Sequence, residues 1–238
     1  MKKYELIFQD LENKILKKIY DEGEFLPSEM ELSDYYEASR ATIRQALNIL
    51  ESRGFIQKQK GKGSLVISSE KLNFPISGLT SYKELQESLD FESSTTVLKF
   101  EKVKIDDELH ILTLLPNDSY AWHILRARKI EGKYSVLDRD YILYDLAPDL
   151  TEDIVKDSLY EYLEDELGLI ISYANKEITI DFINEDDRKY IDLAKIDHHV
   201  VSVKSHVYLA DTTPLQYTES RHQVDKFRFT EFARRQKI

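Results

Sequence analysis

Residues 26–66, LPSEMELSDYYEASRATIRQALNILESRGFIQKQKGKGSLV, leave little choice of fold. Ser28-Glu29-Met30-Glu31 is a capping box, because Ser28 can accept from the backbone while Glu31 reaches back. It predicts a short helix to about Tyr36. Glu37-Ala38 is then a turn, and Ser39 caps a second helix. In that helix Ile43, Ala46, Leu47 and Leu50 make one apolar stripe. Arg40 and Arg44 lie four apart and away from it. Gly54 closes the helix, and two short strands, 55–60 and 64–67, flank Gly61-Lys62-Gly63. Upstream, Tyr4, Ile7, Phe8, Leu11, Ile15 and Ile19 predict an amphipathic helix over 3–21. This order is a winged helix-turn-helix, which seats one helix in the DNA major groove.

Net charge of −11 looks wrong for such a device, but it is unevenly spread. Residues 1–68 hold 11 Lys/Arg and 11 Asp/Glu, so the whole excess lies in 69–238. Within the first part, 21–39 carry seven acids and no base, whereas 40–62 carry six bases and one acid. A local basic face makes a phosphate footprint, whatever the global charge. Paired arginines are usually a solvated face. Here they occupy the first turns of the groove helix, where a planar fork fits guanine or phosphate. Gly61 and Gly63 suit a hairpin turn and, beside Lys60 and Lys62, a close backbone approach to the minor-groove rim.

The chain has no cysteine, so disulfides and thiolate metal sites are excluded. Its charged start is no signal peptide, and no run is apolar enough to span a membrane. A cytoplasmic protein is expected. At 238 residues with 42% hydrophobic content, two cored domains fit. They are expected at 1–68 and 77–238, with 69–76 as a linker. The second part reads as helix 82–89, strand 95–105, strands 121–129 and 134–143 about Glu131-Gly132-Lys133, helix 151–167, strand 171–183, helix 185–194, and strands 200–209 and 215–220. That is an α+β domain with a mostly antiparallel sheet.

Nucleotide-binding loops, metalloprotease helices and a metal-ligand set are all missing, so no cofactor, no metal and no catalysis are expected. Arg126 and Arg128 share one strand face, about 7 Å apart along the chain. Facing inward, they need an anion, either a ligand's phosphate or carboxylate or the carboxylates of Asp138 and Asp140. Tyr217, Glu219 and Arg221 share one strand face and suit polyol recognition, unless they are simply solvated.

Leu26-Pro27-Ser28-Glu29, Leu32, Ser39-Arg40, Thr42, Arg44, Ala46-Leu47, Leu50, Gly54, Ile56 and Gly61-Lys62-Gly63 resemble the DNA-binding domain of the GntR family of bacterial regulators. The resemblance implies DNA contacts by Arg40, Arg44, Ser28, Ser39 and Thr42, with the wing contributing Lys60, Gly61, Lys62 and Gly63. Met30 departs from relatives that carry a base-contacting arginine there. Residues 126–128, 137–141, 158–162, 217–225 and Phe227 resemble the ligand-binding (UTRA) domain of the family's HutC branch, which has the chorismate lyase fold. Three runs, FPISGLTSYKEL, YEYLEDELGLIISYANKEI and QYTESRHQVDKFRFTEFARR, are similar to trehalose-responsive repressors in that branch. They imply trehalose 6-phosphate as effector. They imply a phosphate seat of Ser81, Arg126, Arg128 and Ser158, and a sugar lining of Asp138, Tyr217 and Glu219. The resemblance also implies a homodimer on a palindromic operator. An amino-sugar 6-phosphate is the alternative effector, and a lyase-like enzyme the more remote alternative.

Overall fold

The computed structural model describes residues 2–67, 79, 83, 86 and 92–228. They fall into two compact units, the first holding 2–67 and the second 79, 83, 86 and 92–228. The expected linker 69–76, most of the expected helix 82–89, and Ser81 lie outside the described residues.

The first unit contains α1 (Lys3–Leu16), α2 (Glu29–Tyr35), α3 (Arg40–Ser52), β1 (Ile56–Gln59) and β2 (Gly63–Val66). The capping box forms: the Ser28 hydroxyl accepts from Glu31 N at 3.3 Å, and Glu31 accepts from Ser28 N at 2.8 Å. Ser39 caps α3 by accepting from Thr42 N at 3.2 Å. Between the helices Glu37 takes a left-handed φ of 46°, which turns the chain. Ile7, Phe8, Leu11 and Ile15 of α1 meet Leu32 of α2 and Ile43, Ala46, Leu47 and Leu50 of α3 in one core. Each of the Leu, Ile and Phe side chains contributes about 1.5–3 kcal/mol when buried. β1 and β2 pair antiparallel from Ile56↔Val66 to Gln59↔Gly63. The first helix is shorter than 3–21: Lys18 turns left-handed at φ 54°, and Ile19, expected inward, is exposed.

The second unit is a six-stranded antiparallel sheet. Its strands are β3 (Ser93–Lys104), β4 (Tyr120–Ile130), β5 (Lys133–Leu143), β6 (Ile171–Phe182), β7 (His199–Leu209) and β8 (Pro214–Gln223), in the order β3-β4-β5-β8-β7-β6. With α4 (Asp107–Thr113), α5 (Glu152–Asp157), the single turn α6 (Leu159–Glu161) and α7 (Glu185–Tyr190), this is the expected α+β class. Parity along the ladders separates two sheet faces. One carries Ile124 and Ile142 and packs against Val155, Leu159 and Leu163. The other carries Ala121, Tyr141 and Tyr217 and packs against Ile105 and Leu115 on either side of α4.

Three sequence expectations need correction. The helix expected over 151–167 is divided: Ser158 is extended at φ −142° and ψ 103°, so α5 stops and α6 starts anew, followed by a π turn at Tyr162–Glu166. The helix expected over 185–194 ends at Tyr190, because Ile191 returns to extended backbone and its side chain is buried. The short helix α4, capped by Asp106 through Leu109 N at 2.9 Å, was not anticipated.

Candidate functional site

In the first unit the expected reading residues lie on α3 and the wing. Arg40 and Arg44 are exposed on the α3 side away from its buried stripe. Arg40 has no hydrogen bond or ion pair among the described residues. Arg44 does: its Nε donates to Glu29 Oε2 at 2.8 Å. The Ser39 and Thr42 hydroxyls lie 2.8 Å apart at the α3 start, and Ser28 sits exposed at the start of α2. Lys60 and Lys62 are exposed at the wing tip, where Gly61 (φ 76°) and Gly63 (φ 117°) adopt conformations that L side chains rarely take. The wing is tied to the reading helix. Lys58 N donates to Glu51 Oε1 at 3.1 Å, and the Lys58 amine reaches Asn48. The pairings of Glu29 with Arg44 and of Lys58 with Glu51 and Asn48 are not visible in the sequence. They cross elements, so periodicity carries no trace of them.

In the second unit Arg126 and Arg128 point to the face under α5, and both are buried. Register sets Arg126 opposite Asp138, but the ion pairs run diagonally. Arg126 Nη2 binds Asp140 Oδ2 and Arg128 Nε binds Asp138 Oδ2, each at 2.7 Å. Arg126 also donates to the Val155 carbonyl at 3.0 Å, and Arg128 to Thr95 at 2.6 Å. The carboxylates are further satisfied by Ser220 on Asp138 (2.6 Å) and Gln216 on Asp140 (2.8 Å), and Tyr160 donates to Gln216 at 3.1 Å. Burial works against ionisation of Asp138, but Arg128 and Arg126 outweigh it and hold the carboxyl below its usual value. Burial likewise opposes the Arg126 charge, and Asp140 and Asp138 outweigh it, raising its pKa. The Arg126 Nε remains buried with no partner among the described residues, an open donor on this face.

Ser158 is buried and its hydroxyl accepts from Glu161 N at 3.4 Å. It follows Val155 closely, so the segment that covers Arg126 also carries it. Arg126, Arg128, Asp138 and Ser158 thus belong to one face. Tyr217 and Glu219 do not. They occupy the alternate positions of β8 and point to the opposite face, beside Tyr141 and His206. Glu219 is committed there to Arg221 at 2.9 Å, whose guanidinium also binds Asp187 of α7 at 2.8 Å. Burial pushes the Tyr217 phenol up. On β8 the residues that share the arginine face are Gln216, Thr218 and Ser220, while Tyr217 and Glu219 lie on the other. Those three residues and Tyr160 are additions to the residues singled out from the sequence, whereas Asp140 is the carboxylate partner that the spacing offered. The signal that finds them is the two-residue alternation itself, counted from Ser220 opposite Asp138.

Among the described residues no group of three or more His, Cys, Asp or Glu is arranged to hold a metal, and no helix is long and apolar enough to cross a membrane.

A winged reading head together with a sheet that buries two arginines under a helical cover is the build of a ligand-responsive DNA-binding regulator. Residues 3–66 match the model described as bacterial regulatory proteins, gntR family, and residues 88–228 match that of the UTRA domain. The chain belongs to the GntR family of transcription regulators and carries a UTRA domain. It is 47% identical over 236 residues to the HTH-type transcriptional regulator TreR of Bacillus subtilis, covering 99% of this chain and 98% of that one. It is 28% identical over 233 residues to the mannosyl-D-glycerate transport/metabolism system repressor MngR of Escherichia coli, covering 98% and 96%. The solved effector binding domain of the B. subtilis trehalose repressor is 44% identical, with a TM-score of 0.56 over 60% of this chain and 99% of that one. YydK of B. subtilis, 24% identical, shares the fold across 98% of this chain with a TM-score of 0.81.

Proposed function

We propose that this protein is a homodimeric repressor of trehalose-utilisation genes, released from a palindromic operator by trehalose 6-phosphate. The observation that carries the reading is the 47% identity to TreR across nearly the whole of both chains. The buried arginine face supports it. A phosphate is a natural acceptor for Arg126 Nε, and the neighbouring hydroxyls and amide of Thr218, Ser220 and Gln216 suit a sugar's own hydroxyls. Arg126, Arg128 and Ser158 are the proposed phosphate ligands. Asp138, on the same sheet face, is the proposed sugar contact.

Each subunit places α3 in one half-site, with Arg40 and Arg44 at the base edges and Lys60 to Gly63 on the adjoining minor groove. Ser28, Ser39 and Thr42 hold phosphates. Release requires that the effector prefer a dimer arrangement that misplaces the two heads, because a ligand indifferent to arrangement shifts nothing. The protein acts in the cytoplasm, where the operator is, and the second unit serves as a sensor without catalysis.

The test uses a duplex enriched by the full-length protein from random DNA, followed by fluorescence anisotropy. Trehalose 6-phosphate should release the duplex, and unphosphorylated trehalose should not. Release by glucosamine 6-phosphate instead would keep the repressor and change its pathway.

A further inference from the structure

Arg44 and Glu29 sit fifteen positions apart, on α3 and at the first position of α2, and they meet at 2.8 Å on the exposed side of the reading head. Both side chains are partly or largely exposed, at 62% and 36%. An ion pair that wet adds almost nothing to folding. The two helices are already held by Leu32, Ile43 and Leu47 in the core, and the α2 start is already capped by Ser28 and Glu31. A carboxylate among residues that must approach phosphates also repels the DNA backbone. Glu29 is therefore poorly explained as a packing or a phosphate-binding residue.

The geometry supplies another role. Glu29 takes the Nε of Arg44, and neither terminal amine has a partner among the described residues. Those two amines are the parallel donors that read the O6 and N7 of guanine end-on. Holding the long side chain in one rotamer before contact removes part of the ordering cost of binding. Arg40, one turn earlier, has no such brace among the described residues. The two arginines are thus unequal, one pre-aimed and one adaptable.

We infer that Glu29 is a specificity-determining positioning residue. It aims Arg44 at a guanine edge, and its charge penalises DNA that does not offer one. The inference deepens the repressor reading and rests on it.

The test compares Glu29→Ala, Glu29→Gln, Glu29→Asp, Arg44→Ala and the Glu29/Arg44 double variant. Full-length protein is titrated onto the duplex enriched by the wild type, onto single-base-pair variants of each half-site, and onto a scrambled duplex. Glu29→Ala should lose about tenfold on the enriched duplex, hold or gain on the scrambled one, and become indifferent to one guanine position. The double variant should match Arg44→Ala, because the brace has nothing left to aim. Glu29→Asp keeps the charge at the helix start but is one methylene short, so it should behave as Glu29→Ala. A merely helix-stabilising acid would be rescued by aspartate. Unaltered discrimination at every base pair, additive Glu29 and Arg44 losses, or rescue by aspartate would each overturn the inference and leave the repressor reading standing. Failure of the wild type to enrich any duplex would overturn both.

Discussion

Arg126 and Asp140 form a buried ion pair at 2.7 Å, although the β4–β5 register sets Arg126 opposite Asp138. The diagonal choice gives each arginine its own carboxylate and leaves Arg126 Nε over. Two cations and two anions cancel, so the face is neutral overall but rich in directed donors. Removing Asp140 alone strands a buried guanidinium. Asp140→Ala should destabilise the second unit by roughly 3–5 kcal/mol, whereas Arg126→Met with Asp140→Leu should restore most of that. Urea unfolding of both variants is the check. A loss below about 1 kcal/mol would mean that water reaches the pair.

For the same reason Arg126→Ala is a blunt probe of ligand binding. Arg126→Lys keeps a cation for Asp140 and loses the planar fork. It should fold as the wild type and bind trehalose 6-phosphate at least about tenfold more weakly, a loss that calorimetry reads. Unchanged affinity would remove Arg126 from the phosphate seat.

Arg40→Ala should reduce discrimination of the enriched duplex from scrambled DNA by at least about tenfold while leaving thermal unfolding unchanged, because Arg40 is exposed and outside the core. Normal discrimination would take Arg40 off the base edges and leave the reading to Arg44.

Lys62 at the wing tip is a phosphate contact in this account, and it reads no base. Lys62→Ala should weaken binding to all duplexes alike and reduce the slope of log K against log salt by about 1. Loss restricted to one sequence would make the wing a base reader.

His222 is buried on β8, and burial lowers its pKa to about 4 from the usual 6.5. Between those values the unfolded chain takes up a proton that the folded chain refuses. Stability is therefore full above about pH 6.5 and falls as pH drops toward 4, by roughly 3 kcal/mol over the window. Asp138, held below its usual value by Arg128 and Arg126, adds to the same downward slope only at the acid end, below about pH 5, where the unfolded carboxyl begins to protonate. His222→Gln should flatten the stability profile there. A variant with the same slope as the wild type would assign the titration to another group.

The reading head was almost wholly legible in the sequence, because its signals are local. Ser28 and Glu31 are three apart, Ser39 and Thr42 likewise, and the wing turn is announced by two glycines that need positive φ. Alternation on β4 also showed that Arg126 and Arg128 share a face. It could not choose a ligand's anion over Asp138 and Asp140, since strand parity gives direction and not partners. Parity on β8 alone could not tell which face Tyr217 joins. That depends on a register with β5 set by residues some eighty positions away. The apolar spacing over 151–167 runs unbroken through Ser158, so only the backbone reveals the break. Helix α4 is seven residues long, too short to establish a period.

The most direct measurement is calorimetric titration of the full-length protein with trehalose 6-phosphate, run beside trehalose and glucosamine 6-phosphate. Trehalose 6-phosphate alone should bind, and bind saturably. Binding of glucosamine 6-phosphate in its place, or no heat with any of the three, would contradict the proposed effector.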